Sequence, residues 1–332
     1  MTSCSRVRDG DILVTKHGFV FCVFGYEHPE TRLVSFLKYV PASYAPLFEL
    51  EWLPHKWRYG ERTLVRPREL YGPEEYREIV RVFRERFPEY VYYESDLGKW
   101  IVAVRLDSIE RAYEARESLR ALMEKEARDE LEQRAVELVE LLSRESRVPV
   151  ENFGIRGSVA MGMHTEHSDV DLAVYGAEEY RRVLGALRLL EEEGEVVLYR
   201  RNPYERIRLN CGSFRGTRFV VNAVRREDEI PRERRRYRPL GAVEALCRVV
   251  DDRECVFRPA IYGVECLSPR LEEVKRVVSM VGLYRCIARE GSLIRVSGVL
   301  EEVRGPGGEL EYSRIVVGTG RGGERMEILN SG

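Results

Sequence analysis

Apolar and polar positions alternate through residues 10–40. "DILVT" and "GFVFCVF" flank "KHG", which reads as a hairpin turn between two strands, and "TRLVSFLKYV" adds a strand ahead of Pro41. Residues 41–70, rich in Pro, Trp and Tyr, show no clean period. The spacing turns helical in "GPEEYREIVRVFRERFP", which opens at Pro73 and stops at Pro88. "EYVYYE" and "KWIVAVRL" read as two more strands around the turn "SDLG". From Ser108 to Arg147 there is no Gly or Pro. Leu119, Leu122, Met123, Leu131, Ala135, Leu138 and Leu142 recur there at helical spacing. The run predicts one long helix or two broken ones, with a solvated Glu/Arg face.

Next, "FGIRGS" reads as a short strand entering a turn, "VAMG" as a short helix or loop, and "DVDLAVYG" as a strand. "AEEYRRVLGALRLLEEEG" is an amphipathic helix ended by Gly194. Strands are expected at "EVVLYR", "ERIRLN" and "RFVVNAV", and a helix at "GAVEALCRVV". From Arg253 onward the pattern predicts a helix over "PRLEEVKRVVSMVGLYRCIARE". Two alternating runs around the loop "RGPGGE" then predict a β-hairpin or small open barrel. The tail "GTGRGGERMEILNSG" reads as flexible in part. The expected class is a multidomain α/β (α+β) protein. Its parts are an α+β region at 1–107, a central α/β domain at 108–252, and a helix with a small β region at 253–332.

Composition narrows this little. The 332 residues are 44% hydrophobic and 33% charged, which fits a globular chain of two or three domains. A net charge of −2 names no partner. Lysine occurs only at 16, 38, 56, 99, 125 and 275, and arginine supplies the other basic side chains. Seven scattered cysteines with no CxxC pair point to reduced thiols and a cytoplasmic setting. No apolar run approaches the ~20 residues a membrane span needs. "MTSCSRVRDGD" lacks a signal-peptide core.

Chemistry concentrates in "GIRGSVAMGMHTEHSDVDLAVYG", residues 154–176. In a strand, Asp169 and Asp171 face the same way while Val170 and Leu172 face the core. Convergent carboxylates repel unless positive charge stands between them, and they suit a divalent ion with oxygen ligands, Mg²⁺ above all, or Mn²⁺. Gly157 lets the backbone approach a ligand closely, and free amides beside the Ser158 hydroxyl can hold phosphate oxygens. A phosphate holder near a metal holder is what phosphoryl or nucleotidyl transfer requires.

The spacing in "GSVAMGMHTEHSDVDL" resembles the signature of the nucleotidyltransferase superfamily that includes DNA polymerase beta. It is especially similar to the minimal nucleotidyltransferases and, in outline, to archaeal CCA-adding enzymes. The close similarity covers about 130–176, a looser one in element order reaches about 250, and neither end of the chain is covered. The resemblance implies a polymerase-beta-like central fold. It also implies transfer of a nucleoside monophosphate from an NTP to an acceptor, with Gly157 and Ser158 on the triphosphate and Asp169 and Asp171 on Mg²⁺. The family pattern has a third carboxylate on a later strand, where "RFVVNAV" places Asn222. Asparagine offers a carbonyl oxygen to a metal but is no general base. Glu205 or Asp228 are alternative third acids, and a protein that binds nucleotide without turnover is the remaining alternative.

His164, Glu166 and His167 have poor zinc spacing and read as exposed loop residues. Between 199 and 238 there are thirteen arginines against five acids, interleaved with Tyr199, Tyr204, Phe214 and Tyr237. That run reads either as a surface for triphosphate or RNA, with Arg218 and Arg225 flanking the third-acid strand, or as a solvated loop that pairs with the acidic helix. The expected functions are transfer to an RNA or other hydroxyl acceptor, non-catalytic nucleotide or RNA binding, and nucleotidylation of a protein.

Overall fold

The hairpin around "KHG" forms as its alternation predicts. β1 (Ile12–Thr15) pairs antiparallel with β2 (Val20–Val23), and β3 (Arg32–Pro41) lies on the other side of β2. The computed structural model describes residues 6–70, 72–231, 233 and 235–330, the last by its backbone alone. β4 (Trp57–Tyr59) and β5 (Arg62–Val65) extend the sheet, α1 (Pro73–Arg86) follows, and β6 (Val91–Glu94), β7 (Lys99–Arg105) and β8 (Ile109–Tyr113) complete it. The order is β4-β5-β3-β2-β1-β8, with β7 on β3 and β6 on β7. Phe19, Phe21, Phe83 and Tyr90 are fully buried in its core.

The Gly- and Pro-free run resolves into α2 (Ala115–Glu124) and α3 (Glu130–Ser146). Asp129 sets the break. Its side chain accepts the Glu132 amide at 2.9 Å, and the Glu132 carboxylate accepts the Asp129 amide at 3.1 Å, a reciprocal cap. Then come β9 (Phe153–Arg156), the one-turn α4 (Gly157–Ala160), β10 (Val170–Tyr175), α5 (Ala177–Glu192), β11 (Val196–Leu198), α6 (Pro203–Arg208), β12 (Cys211–Phe214) and β13 (Thr217–Val224). Five of these strands form a second sheet, β11-β12-β13-β10-β9, in which only β10 and β13 run parallel. Val170, Leu172 and Val174 are buried at alternate positions, and α5 packs on β10, β13 and α3.

Both sheets belong to one compact unit made of Met1–Tyr93, Trp100–Arg201 and Leu209–Arg226. A second unit takes Glu94–Lys99, Asn202–Arg208 and Glu227–Gly332. Its strands are β14 (Arg236–Asp251), β15 (Ala260–Cys266), β16 (Val274–Ser279), β17 (Leu293–Arg304), β18 (Leu310–Val317) and β19 (Arg325–Asn330). The long β14 pairs with β15 near its end and with β17 along most of its length. β14, β15, β16, β18 and β17 therefore close into a ring, with β16 and β18 parallel and β19 beside β17.

Three expectations are corrected here. "GAVEALCRVV" is part of β14, not a helix: Ala245, Cys247 and Val249 are buried at a two-residue period that its helix-forming composition masks. "PRLEEVKRVVSMVGLYRCIARE" holds β16 and a 3-10 turn at Gly282–Tyr284. Its valines also fit helical spacing, but β-branched residues and two open strand edges favour the sheet. "ERIRLN" begins in α6, because Asn202 Oδ1 accepts the Glu205 amide at 3.0 Å and Pro203 fills the first turn. The tail carries β19. Among the described residues every cysteine is a free thiol, Cys4 lying outside them, and no helix is long and apolar enough to cross a membrane.

The first sheet is joined to α2 through Asp11, which is 1% exposed. Its carboxylate accepts the amides of Arg8 at 2.8 Å and of Ala115, the first residue of α2, at 2.9 Å. Burial raises its carboxyl from 3.8 to about 7, against the lowering effect of those two amides and of Arg156. Between those values the folded chain holds a proton that the unfolded chain has lost, so stability falls as pH rises from about 4 to about 7, and the loss is complete above 7. In urea unfolding, wild type should be more stable at pH 5 than at pH 8, by an amount on the order of 2–4 kcal/mol. Asp11→Asn should remove most of that difference.

Candidate active site

The antiparallel register of β9 and β10 sets Asp171 opposite Arg156. The next residue, Gly157, therefore lies against Asp171. Gly157 has φ +70°, and a methyl group there would overlap the Asp171 carboxylate. Only glycine gives this close approach without strain. Gly157 and Ser158 open α4, whose first amides have no acceptor within the helix. The turn is closed by the Met163 amide donating to the Ser158 carbonyl at 2.9 Å.

Asp169 stands just before β10 and Asp171 within it, so the two-residue period puts both on one face. Burial raises the Asp169 carboxyl above its ordinary value, Arg218 opposes the rise, and the Asp171 charge adds to it. Arg218 Nε lies 2.7 Å from Asp169 Oδ1, and Arg201 contributes further positive charge. Asp169, Asp171, Gly157, Ser158 and Arg218 are thus brought together. The sheet explains why: β10 and β13 run parallel, so Arg218 sits at the end of β13 nearest the acids.

The parallel register sets Val220 level with Asp171 and Asn222 level with Ala173, one pleat deeper. Asn222 is half-buried on the same face, and that face of β13 carries Arg218, Val220 and Asn222 but no carboxylate. Glu205 is buried in α6 and Asp228 sits in the 3-10 turn Glu227–Glu229, both within the second unit. Arg225 follows β13 at the end away from the acids, roughly 20 Å from Arg218 at ~3.3 Å per residue. It is buried with its guanidinium 4.6 Å from the Tyr26 ring centroid, so it is not gathered with the acids.

The arginine run does not form one wall. In the first unit, Arg200, Arg215 and Arg226 pair with Glu191, Glu137 and Glu179. In the second, Arg235, Arg236 and Arg238 pair with Glu311, Asp96 and Glu302. Arg232 and Arg234 lie outside the described residues. Pairing with nearby acids, one of them on α3, accounts for much of the positive excess.

His164 is not an exposed loop residue, as its neighbours suggested. Its side chain is 10% exposed, and Nε2 lies 2.7 Å from Asp129 Oδ2, tying the loop between turn and acids to the cap of α3. His167 is exposed beside Glu166. Asp129, Glu132 and His164 are close enough to share a cation. Glu132 is already held by Lys125 at 2.7 Å, and Asp129 by the Glu132 amide and the histidine, so this trio reads as a helix cap. Asp169 and Asp171 offer a second set of donors for a divalent ion, one of them held by Arg218. They are hard oxygen donors on one face, beside a turn that a side chain would fill.

Sequence reasoning overlooked two residues that bear on this site. Arg156 lies on the face of Asp171, with Nη1 donating to the Asp9 carbonyl at 3.3 Å. Lys38 of β3 is close enough to Asp171 for the two charges to interact. Neither lies in the motif strands' apolar pattern, and both depend on how the first sheet docks.

Residues 137–214 match the family described as nucleotidyltransferase domain. That span holds Gly157, Ser158, Asp169 and Asp171, and stops short of Arg218 and Asn222. An uncharacterized protein of Methanocaldococcus jannaschii is 27% identical over 339 residues, covering 95% of this chain and 96% of that protein. No solved structure matches. Gly157→Ala should destabilise the protein by about 1–3 kcal/mol in denaturant unfolding. Ser158→Ala, with no backbone constraint to violate, should stay within about 0.5 kcal/mol of wild type.

Proposed function

We infer that this chain, which carries a nucleotidyltransferase domain, transfers a nucleoside monophosphate from an NTP to a hydroxyl acceptor and releases pyrophosphate. The observation that supports this most is the contact of the Gly157 backbone with Asp171. In this reading the turn that would hold phosphate lies directly against Asp171, one of the two carboxylates. Asp169 and Asp171 would hold Mg²⁺ or Mn²⁺, which when bound supplies positive charge to the reacting phosphate and its leaving oxygens. Gly157 and Ser158 would orient the triphosphate through backbone amides and the serine hydroxyl. Arg218, on the rim beside Asp169, is placed to exchange that carboxylate for a phosphate oxygen. Asn222 can add a carbonyl oxygen on the same face.

RNA is the acceptor we favour. The second unit's ring has the strand order of a five-stranded Greek-key barrel of the OB type, an architecture that binds oligonucleotides. This is a likeness of architecture alone, and it directs which acceptor to try first. A second reading, nucleotide binding without turnover, is supported by the absence of a carboxylate on the site face of β13.

Pure protein incubated with each labelled NTP, Mg²⁺ and total RNA should move label into RNA. Asp169→Ala combined with Asp171→Ala should reduce transfer roughly 10³-fold or more. Saturable NTP binding with no transfer to RNA or protein would favour the second reading. Label on a protein band would point to protein nucleotidylation.

A further inference from the structure

β3 is not a regular strand. Tyr39 pairs with Val20 and Leu37 pairs with Phe21, so Lys38 has no partner on β2. It is the extra residue of a β-bulge, a device that re-aims side chains. Strict alternation would put Phe36 and Tyr39 on opposite faces. The bulge instead puts Tyr39 with Phe36, Ile12, Val14 and Cys22, while Leu37 and Val40 join the other core. Met161 and Met163 pack against the Tyr39 face, and they belong to the loop that follows Gly157 and Ser158. The irregularity in the first sheet therefore lies against the segment carrying the phosphate turn.

Lys38 is half-buried there, its Nζ 5.7 Å from the centroid of the Tyr39 ring. Lys38 interacts electrostatically with Asp171, and a lysine ammonium is a cation at neutral pH. Tyr39 also feels the Asp171 charge. β5 pairs with β3 just past the bulge, Val65 opposite Val40, and Arg66 comes next. Arg66 interacts electrostatically with both Lys38 and Tyr39, and its buried Nε has no acceptor among the described residues. Lys38 and Arg66 are thus two interacting cations, and Asp171 is a carboxylate that acts on Lys38. A triphosphate brings more negative charge than one divalent ion can offset beside two acids, and a compact ammonium suits it as a point charge.

We propose that Lys38, backed by Arg66, contacts the phosphates of the nucleotide held at the Gly157–Ser158 turn. The first sheet would then be part of the transferase site. This rests on the transferase reading, and it assigns a substrate contact outside the matched domain.

Calorimetric titration of the full chain with each of the four NTPs, and with the corresponding NMPs, in Mg²⁺ tests it. Lys38→Met and Lys38→Gln should weaken binding of the preferred NTP roughly tenfold or more. They should leave NMP affinity and thermal midpoint near wild type, and Lys38→Arg should recover part of the loss. Unchanged NTP affinity in both neutral variants overturns the proposal alone. So does an equal loss of NTP and NMP affinity with a lowered midpoint, which would make Lys38 a structural counter-ion of Asp171. Wild-type protein that binds none of the four NTPs overturns the transferase reading, and the proposal with it.

Discussion

Two carboxylates on one pleat face raise each other's proton affinity unless cations or a metal stand among them. The rest of the site is arranged around that repulsion. Asp169 is met by Arg218 on the parallel neighbour β13 and by Arg201. Asp171 interacts with the charge of Lys38, which sits at a bulge in a different sheet. The hydrophobic face of β10 fixes the pair, because turning the acids away would expose Val170, Leu172 and Val174.

The first sheet is tied to the site by polar contacts as well as packing. Asp11 takes the place of a cap for α2, and the Arg156 guanidinium, beside Asp9 and Asp11, anchors the strand that ends at Gly157. In the middle of the motif loop, His164 joins the cap of α3. The backbone between the turn and the acids is therefore braced just before the turn and again at mid-loop, one brace reaching the N-terminal sheet and the other a helix.

Much of this was legible in the residues, for identifiable reasons. "GS", a ten-residue gap and "DVD" act through local geometry, since a tight turn and a strand's two-residue period need no distant partner. Regular helices such as α1 and α5 announced themselves by spacing and by Pro and Gly at their ends. The failures were of two kinds. Ala- and Val-rich strands β14 and β16 fit helical spacing as well as alternation, and only available strand edges decide between them. Lys38 and Arg156 were invisible because their surroundings come from the docking of segments more than a hundred residues apart. No pattern within either segment records that docking. The arginine run misled in the opposite sense: its excess looked concentrated in sequence and is divided between two units in space.

The two units are interleaved in sequence, since the second draws 94–99 and 202–208 from inside the span of the first. No single cut in the gene yields both units whole, so splitting the protein at residue 227 would leave each fragment with an error of membership. Growth on a ribosome meets the same problem in time. At ~5–20 residues per second, segment 94–99 waits many seconds for the barrel strands it belongs with, long after the sheet around it has been made.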